Sequence, residues 1–252
     1  MEQCEKRRRA FFIAVLAVVC VIGAAVCLWL GSFYRADEAA MSVLDAPSPG
    51  VTVERRDDRI VFRPEHCEAG LIFYPGGRVQ FEAYAPLMDA LAARGVLCVL
   101  LRMPGNLAVL RPDAADGVRE AFPEIGRWFI AGHSLGGAVA SICADKHPGD
   151  YEGLILLAAY PDRDLRESGL RVLSVTGTED GVLNRGKYEA GKVLLPDDAQ
   201  ELVIEGGCHS YFGSYGMQKE DGKPAVSREA QTARTAEEIA GLIRGAAQAA
   251  AT

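Results

Sequence analysis

Histidine is scarce in this chain, with four in 252 residues, so a reaction needing a base near neutral pH has few places to find one. Cysteine builds no disulfide framework. Cys4 lies in an N-terminal tail, Cys20 and Cys27 in an apolar run, and Cys98 and Cys143 on a predicted strand and helix where buried thiols are ordinary. That leaves Cys67 and Cys208 as the one pair that an oxidising compartment would allow to join. No spacing of His, Cys and carboxylates reads as a metal site, and no glycine-rich dinucleotide or phosphate-loop fingerprint is present. The chemistry is therefore expected to run without metal or cofactor. There is no basic stripe either: from Arg35 onward 23 basic and 32 acidic residues leave −9, which gives nucleic acid no footing.

What is present is Gly132-His133-Ser134-Leu135-Gly136-Gly137, directly after the apolar run Trp128 to Ala131 and directly before a helix-like segment. Strand, tight turn with a serine at its tip, and helix make a nucleophile elbow, in which small residues on both sides of the serine avoid collision with the flanking strand and helix. The alternative is a glycine-rich turn with an ordinary N-cap serine, which would demand nothing elsewhere in the chain.

An elbow demands a base and an acid, in the chain order Ser, Asp/Glu, His. His66 precedes the elbow, His133 lies inside it, and His147 sits beside Pro148 where the following helix should stop. His209 remains, in the loop Gly206-Gly207-Cys208-His209 after the strand-like Glu201 to Glu205. For the acid, Asp180 stands in Gly177-Thr178-Glu179-Asp180-Gly181 at the carboxyl end of the predicted strand Arg171 to Thr176. Glu179, Asp162 and Asp164 are the runners-up, and Asp180 has the competing role of shaping a turn before Gly181.

A tetrahedral intermediate also needs fixed N–H donors. The backbone of Leu135 supplies one at its helix start, and the loop Gly76-Gly77-Arg78 after the apolar Leu71 to Pro75 supplies the other, Gly77 first and Arg78 next. Arg78 is also a candidate for binding substrate. So is Arg102, at a strand end before Met103-Pro104-Gly105-Asn106, where it either holds a substrate carboxylate or enters a surface ion pair. The irregular segment Ser210 to Val226 begins at the presumed base, and Tyr211, Phe212 and Tyr215 are expected to line the acyl or alcohol pocket.

Strand-like and helix-like segments alternate along the rest of the chain, the pattern of an α/β fold with a mostly parallel central sheet and helices on both faces. A lead-in hairpin is predicted for Val51–Glu54 and Ile60–Arg63, with helices near 81–93, 113–122, 134–147 and 184–195 and a terminal helix capped by Ser227. No lid domain fits in the short stretch between the strands at Gly153 and Arg171.

These motifs, Tyr74-Pro75-Gly76-Gly77, the elbow, the Asp180 turn and the His209 loop, resemble the α/β-hydrolase fold family, in its small, cap-less, dienelactone-hydrolase-like form, over about Val51 to Gly245. That group includes bacterial members with an N-terminal membrane anchor. The resemblance implies Ser134 as nucleophile, Asp180 as acid and His209 as base. Dienelactone hydrolases carry cysteine where this chain has Ser134, and many oxyanion loops open with His-Gly where it has Pro75-Gly76.

Ala10 to Leu30 is 21 residues without a charge, about 31 Å as a helix at about 1.5 Å per residue, and Lys6 to Arg9 precede it. This reads as a transmembrane helix that leaves the N-terminus cytoplasmic and the catalytic domain extracytoplasmic, with Trp29, Phe33 and Tyr34 at the far interface. A cleaved signal peptide is the rival reading. The expected organisation is a basic tail at 1–9, a membrane helix at 10–30, a tether at 31–50 and a catalytic domain at 51–248. The expected activity is ester hydrolysis on a small or lipid-like substrate. A peptidase or acyltransferase with the same triad, and a non-catalytic binding protein on the same fold, are the alternatives; the sequence is silent on oligomeric state.

Overall fold

The structure is a computed structural model that describes residues 2–250, without the side chains of residues 2–6, 10, 25, 27–30 and 247–250. It divides into two units, residues 1–33 and 34–252. The first unit is a single helix, α1, Glu2–Gly31. Its described apolar side chains, Phe11 through Ile22 among them, are exposed. Among the described residues no helix is long and apolar enough to cross a membrane. Part of the expected span, the side chains of Ala10, Ala25 and Cys27 to Leu30, lies outside the described residues.

The second unit is built on one eight-stranded sheet: β1 Val51–Arg55, β2 Arg59–Pro64, β3 Ala69–Tyr74, β4 Val96–Leu101, β5 Trp128–His133, β6 Gly153–Leu157, β7 Arg171–Gly177 and β8 Gln200–Ile204. Their spatial order is β1-β2-β4-β3-β5-β6-β7-β8. β1, β2 and β4 pair antiparallel, and from β4 to β8 every pairing is parallel. β3 to β6 are buried throughout, as expected of strands covered on both faces. Alternate side chains enter two cores. Leu71 and Phe73 face helices α3 (Ala85–Ala92) and α6 (Arg228–Ala250), while Ile72, Ile130 and Leu154 face α4 (Leu135–Lys146). Each such fully buried side chain contributes roughly 1.5–3 kcal/mol.

Several expectations are corrected. The presumed tether carries helix α2, Glu38–Asp45, capped by Asp37 through the Ala40 amide at 3.0 Å, with Ala40 and Leu44 buried. Asp37 also pairs with Arg228 and accepts from Ser214 Oγ at 2.7 Å, so this segment belongs to the folded domain. Tyr34, expected at a membrane interface, instead donates its amide to Arg78 O at 2.8 Å and stacks on Tyr215 at 5.7 Å. The helix expected near 113–122 is a chain of turns ending in a short 3-10 turn, Arg119–Ala121, because Gly117 adopts φ 73°. The helix near 184–195 is shorter, α5 Arg185–Lys192. Cys67 and Cys208 are free, Cys67 exposed and Cys208 buried.

Candidate active site

The carboxyl ends of β5, β7 and β8 deliver the three expected side chains. At the end of β5, Ser134 sits at φ 52° and ψ −123°, a conformation that costs a non-glycine residue about 1–3 kcal/mol. The surroundings enforce it. A Cβ on Gly132 would lie 2.3 Å from the backbone carbon of Gly136, and one on Gly136 would lie 2.2 Å from Tyr74 O. β5 and α4 therefore meet so closely that the serine is pushed out at the tip, half-exposed, with its amide on Leu157 O at 2.9 Å.

Asp180 and His209 form a buried pair, Oδ2 to Nδ1 at 2.9 Å. The other carboxylate oxygen, Oδ1, accepts from the amides of Val182 at 3.0 Å and Leu183 at 2.8 Å, which fixes the carboxylate's orientation. With Nδ1 facing a carboxylate, the neutral imidazole carries its proton there and presents Nε2 as a base. His209 Nε2 is buried and makes no hydrogen bond to Ser134 Oγ in this resting arrangement. Such contacts commonly tighten only when substrate binds. The runners-up for the acid sit elsewhere: Asp162 and Asp164 pair with Arg163 and Arg166 on the surface, and Glu179 is exposed beside Thr178.

Ser134, Leu135 and His209 line one cavity of about 260 Å³ with Ala138, Ala158, Ala159, Tyr160, Val182, Leu183 and Asn184. Leu135 is the first residue of α4, where amides have no partner within their own helix. Gly77 lies against it: a Cβ there would be 2.9 Å from the Leu135 side chain. Arg78 is removed as the second oxyanion donor, since its amide is on Asn106 O at 2.7 Å. The loop is tied to the elbow through Tyr84, whose oxygen accepts from the Gly76 amide at 2.9 Å and whose hydroxyl is hydrogen-bonded to His133 Nδ1 at 2.8 Å. Burial, and then the neighbouring His209, push the His133 imidazole well below its ordinary range, so it stays neutral.

The expected pocket residues do not line this cavity. Tyr215 is fully buried and accepts from Gln218 Nε2 at 3.1 Å, and Phe212 is buried with its ring 5.7 Å from that of His133. Tyr211 lies under the Arg228 guanidinium at 4.8 Å. Arg102 is exposed, donates to Asp57 O at 3.2 Å and stands over Phe81. The residues that do line it, Ala158 to Tyr160 and Val182 to Asn184, follow the ends of β6 and β7. The rule that open α/β sheets bind ligands beyond their carboxyl ends would have found them.

Among the described residues, Asp116, Cys143 and His147 bring metal-ligand atoms within 4.8 Å of one another, a grouping the linear spacing did not reveal. It stands at the far end of α4 from Ser134, and burial pushes the Cys143 thiol up, so that it stays protonated there.

The family model described as the α/β hydrolase family matches residues 70–233, more than half of the chain. This chain belongs to the α/β hydrolase family. No curated protein matches it. Among solved structures it is similar to Est1E from Butyrivibrio proteoclasticus, at 16% identity and TM-score 0.56 over 77% of this chain and 99% of that one. It is also similar to a bacterial membrane phospholipase A, at 13% identity and TM-score 0.58 over 94% and 99%, and to an esterase from Pyrobaculum calidifontis, at 15% identity and TM-score 0.54 over 81% and 89%. At these identities the likeness is one of fold.

Proposed function

We propose that this protein is a serine hydrolase of carboxylic esters, of the small cap-less kind, held to a membrane by its N-terminal helix. The observation that carries the hydrolase reading is the buried Asp180–His209 pair opening into the same cavity as a serine in strained elbow geometry. His209 Nε2 takes the Ser134 proton as Oγ attacks the ester carbonyl, and the amides of Leu135 and Gly77 receive the oxyanion, each such donor being worth about 2.7–4 kcal/mol. His209 then protonates the departing alcohol. Water, deprotonated by the same imidazole, releases the acyl group and regenerates Ser134. A peptidase or acyltransferase would share these steps.

The connection from Leu157 to Arg171 is an irregular loop, which leaves no room for a cap domain and supports the cap-less assignment. A cavity of about 260 Å³ with Leu135, Ala138, Ala159, Val182 and Leu183 on its walls suits a short acyl group. Full-length protein should react with a fluorophosphonate probe and turn over p-nitrophenyl butyrate faster than the dodecanoate, and Ser134→Ala should lose both reactions. Folded wild type that takes no label is instead a binding protein on a hydrolase scaffold.

The membrane reading rests on the uncharged run Ala10 to Leu30 behind Lys6 to Arg9. It places the N-terminus in the cytoplasm and the hydrolase outside. Full-length protein is expected to stay with carbonate-washed membranes, its C-terminus digested by protease added to the outside of intact cells; recovery of the full chain in the soluble fraction would sink the anchor.

A further inference from the structure

The segment after His209 returns beneath both halves of the acid–base pair. Asp221, half-buried, accepts through Oδ1 from the amides of Gly181 at 3.2 Å, His209 at 3.2 Å and Gly222 at 3.0 Å, and through Oδ2 from Ser210 at 2.7 Å. Gly181 neighbours the acid, and His209 is the base itself. One carboxylate thus bonds the two loops that must hold Asp180 and His209 in register. Backbone packing brings it there: a Cβ on Gly181 would lie 2.3 Å from Glu220 O, and one on Gly222 would lie 2.1 Å from Glu179 O. Burial pushes the Asp221 carboxyl up, yet the bonds it accepts from Ser210, Gly181 and His209 outweigh that and hold it below the ordinary carboxylate value. It is therefore ionised where the hydrolase would work.

We propose that Asp221 is a positioning residue for the reaction, the clamp that holds the Asp180 turn and the His209 loop at proton-transfer spacing. The inference rests on the hydrolase reading above. Asp221 touches no reacting atom; it acts through the backbones of the residues that do. Its neighbours make the charge matter, since four N–H groups converge on two oxygens and a neutral amide cannot serve them all. In Asp221→Asn the Nδ2 group either faces the Ser210 amide, donor against donor, or displaces the Oδ1 acceptor shared by Gly181 and His209.

The test is steady-state hydrolysis of p-nitrophenyl butyrate by full-length wild type and Asp221→Asn, with rates expressed per site titrated by the fluorophosphonate, so that any unfolded fraction drops out. The expected result is a kcat per site lower by about 10- to 100-fold, KM within about twofold, and a phosphonylation rate lowered alongside kcat, since proton transfer and not binding is what loosens. A kcat within about twofold of wild type, or a loss carried by KM, overturns the proposal. Should Asp221→Asn not fold, Asp221→Glu answers the same question: it keeps the charge, but its extra methylene shifts the carboxylate off the Gly181 and His209 amides. The same kcat loss at unchanged KM is expected there, and full kcat would overturn the proposal. If wild type itself takes no probe at Ser134, the hydrolase reading fails and the clamp with it; if wild type is labelled while the variants turn over normally, the clamp alone fails.

Discussion

Replacing Asp180 by Asn is expected to lower kcat by about 10⁴-fold with little change in KM, the size of effect seen when a buried orienting carboxylate is lost from a serine triad. The geometry says why. Asp180 Oδ1 already accepts from the amides of Val182 and Leu183 at 3.0 and 2.8 Å, so the carbonyl oxygen of Asn is held on that side. Its NH₂ group then faces His209 Nδ1, which must turn acceptor, and the imidazole proton moves to Nε2, the atom meant to take the serine's proton. The base is present but in the wrong tautomer. Steady-state kinetics on p-nitrophenyl butyrate measure this, and activity above about a tenth of wild type would mean that another carboxylate does the work. Glu179 is the nearest rival in sequence, and the structure turns it outward.

The largest stability effect is expected at Gly136. An added methyl would lie 2.2 Å from Tyr74 O and 2.3 Å from Pro75 O, both backbone atoms of the strand end that carries the oxyanion loop. No side chain can rotate away to relieve it, so α4 or β3 must move. Gly136→Ala should cost more than about 4 kcal/mol, in the range kept for overpacked or broken cores, and lower Tm by about 10 °C or abolish soluble expression. Urea unfolding of the variant measures it; a loss under about 1 kcal/mol would show that the elbow is looser than its contacts imply.

The elbow was legible in the sequence because its constraint is steric and local: Gly132, Ser134 and Gly136 must be near one another whatever the rest of the chain does. The choice of His209 followed from having only four histidines, and Asp180 from its place after a strand. The pocket was not legible. Tyr211, Phe212 and Tyr215 follow His209 closely in sequence, but a 3-10 turn at Ser210–Phe212 carries Phe212 and Tyr215 into the core and Tyr211 under Arg228. The helix α2 was missed because eight residues are too few to form a helix unaided and are held by tertiary contacts, with Ala40 and Leu44 buried and Asp37 on Arg228. Asp221 was missed for the same kind of reason. An Asp-Gly pair in an irregular segment reads as a turn, and only folding shows that its carboxylate reaches backbone 12 and 40 residues away.

The Tyr84 oxygen, shared between Gly76 and His133, has one more implication. On the proposed hydrolase reading, it joins the oxyanion loop to the elbow that bears the attacking serine before any ester arrives. On that reading, discrimination between esters is expected to rest on how well each fits a mould whose oxyanion side is set in advance.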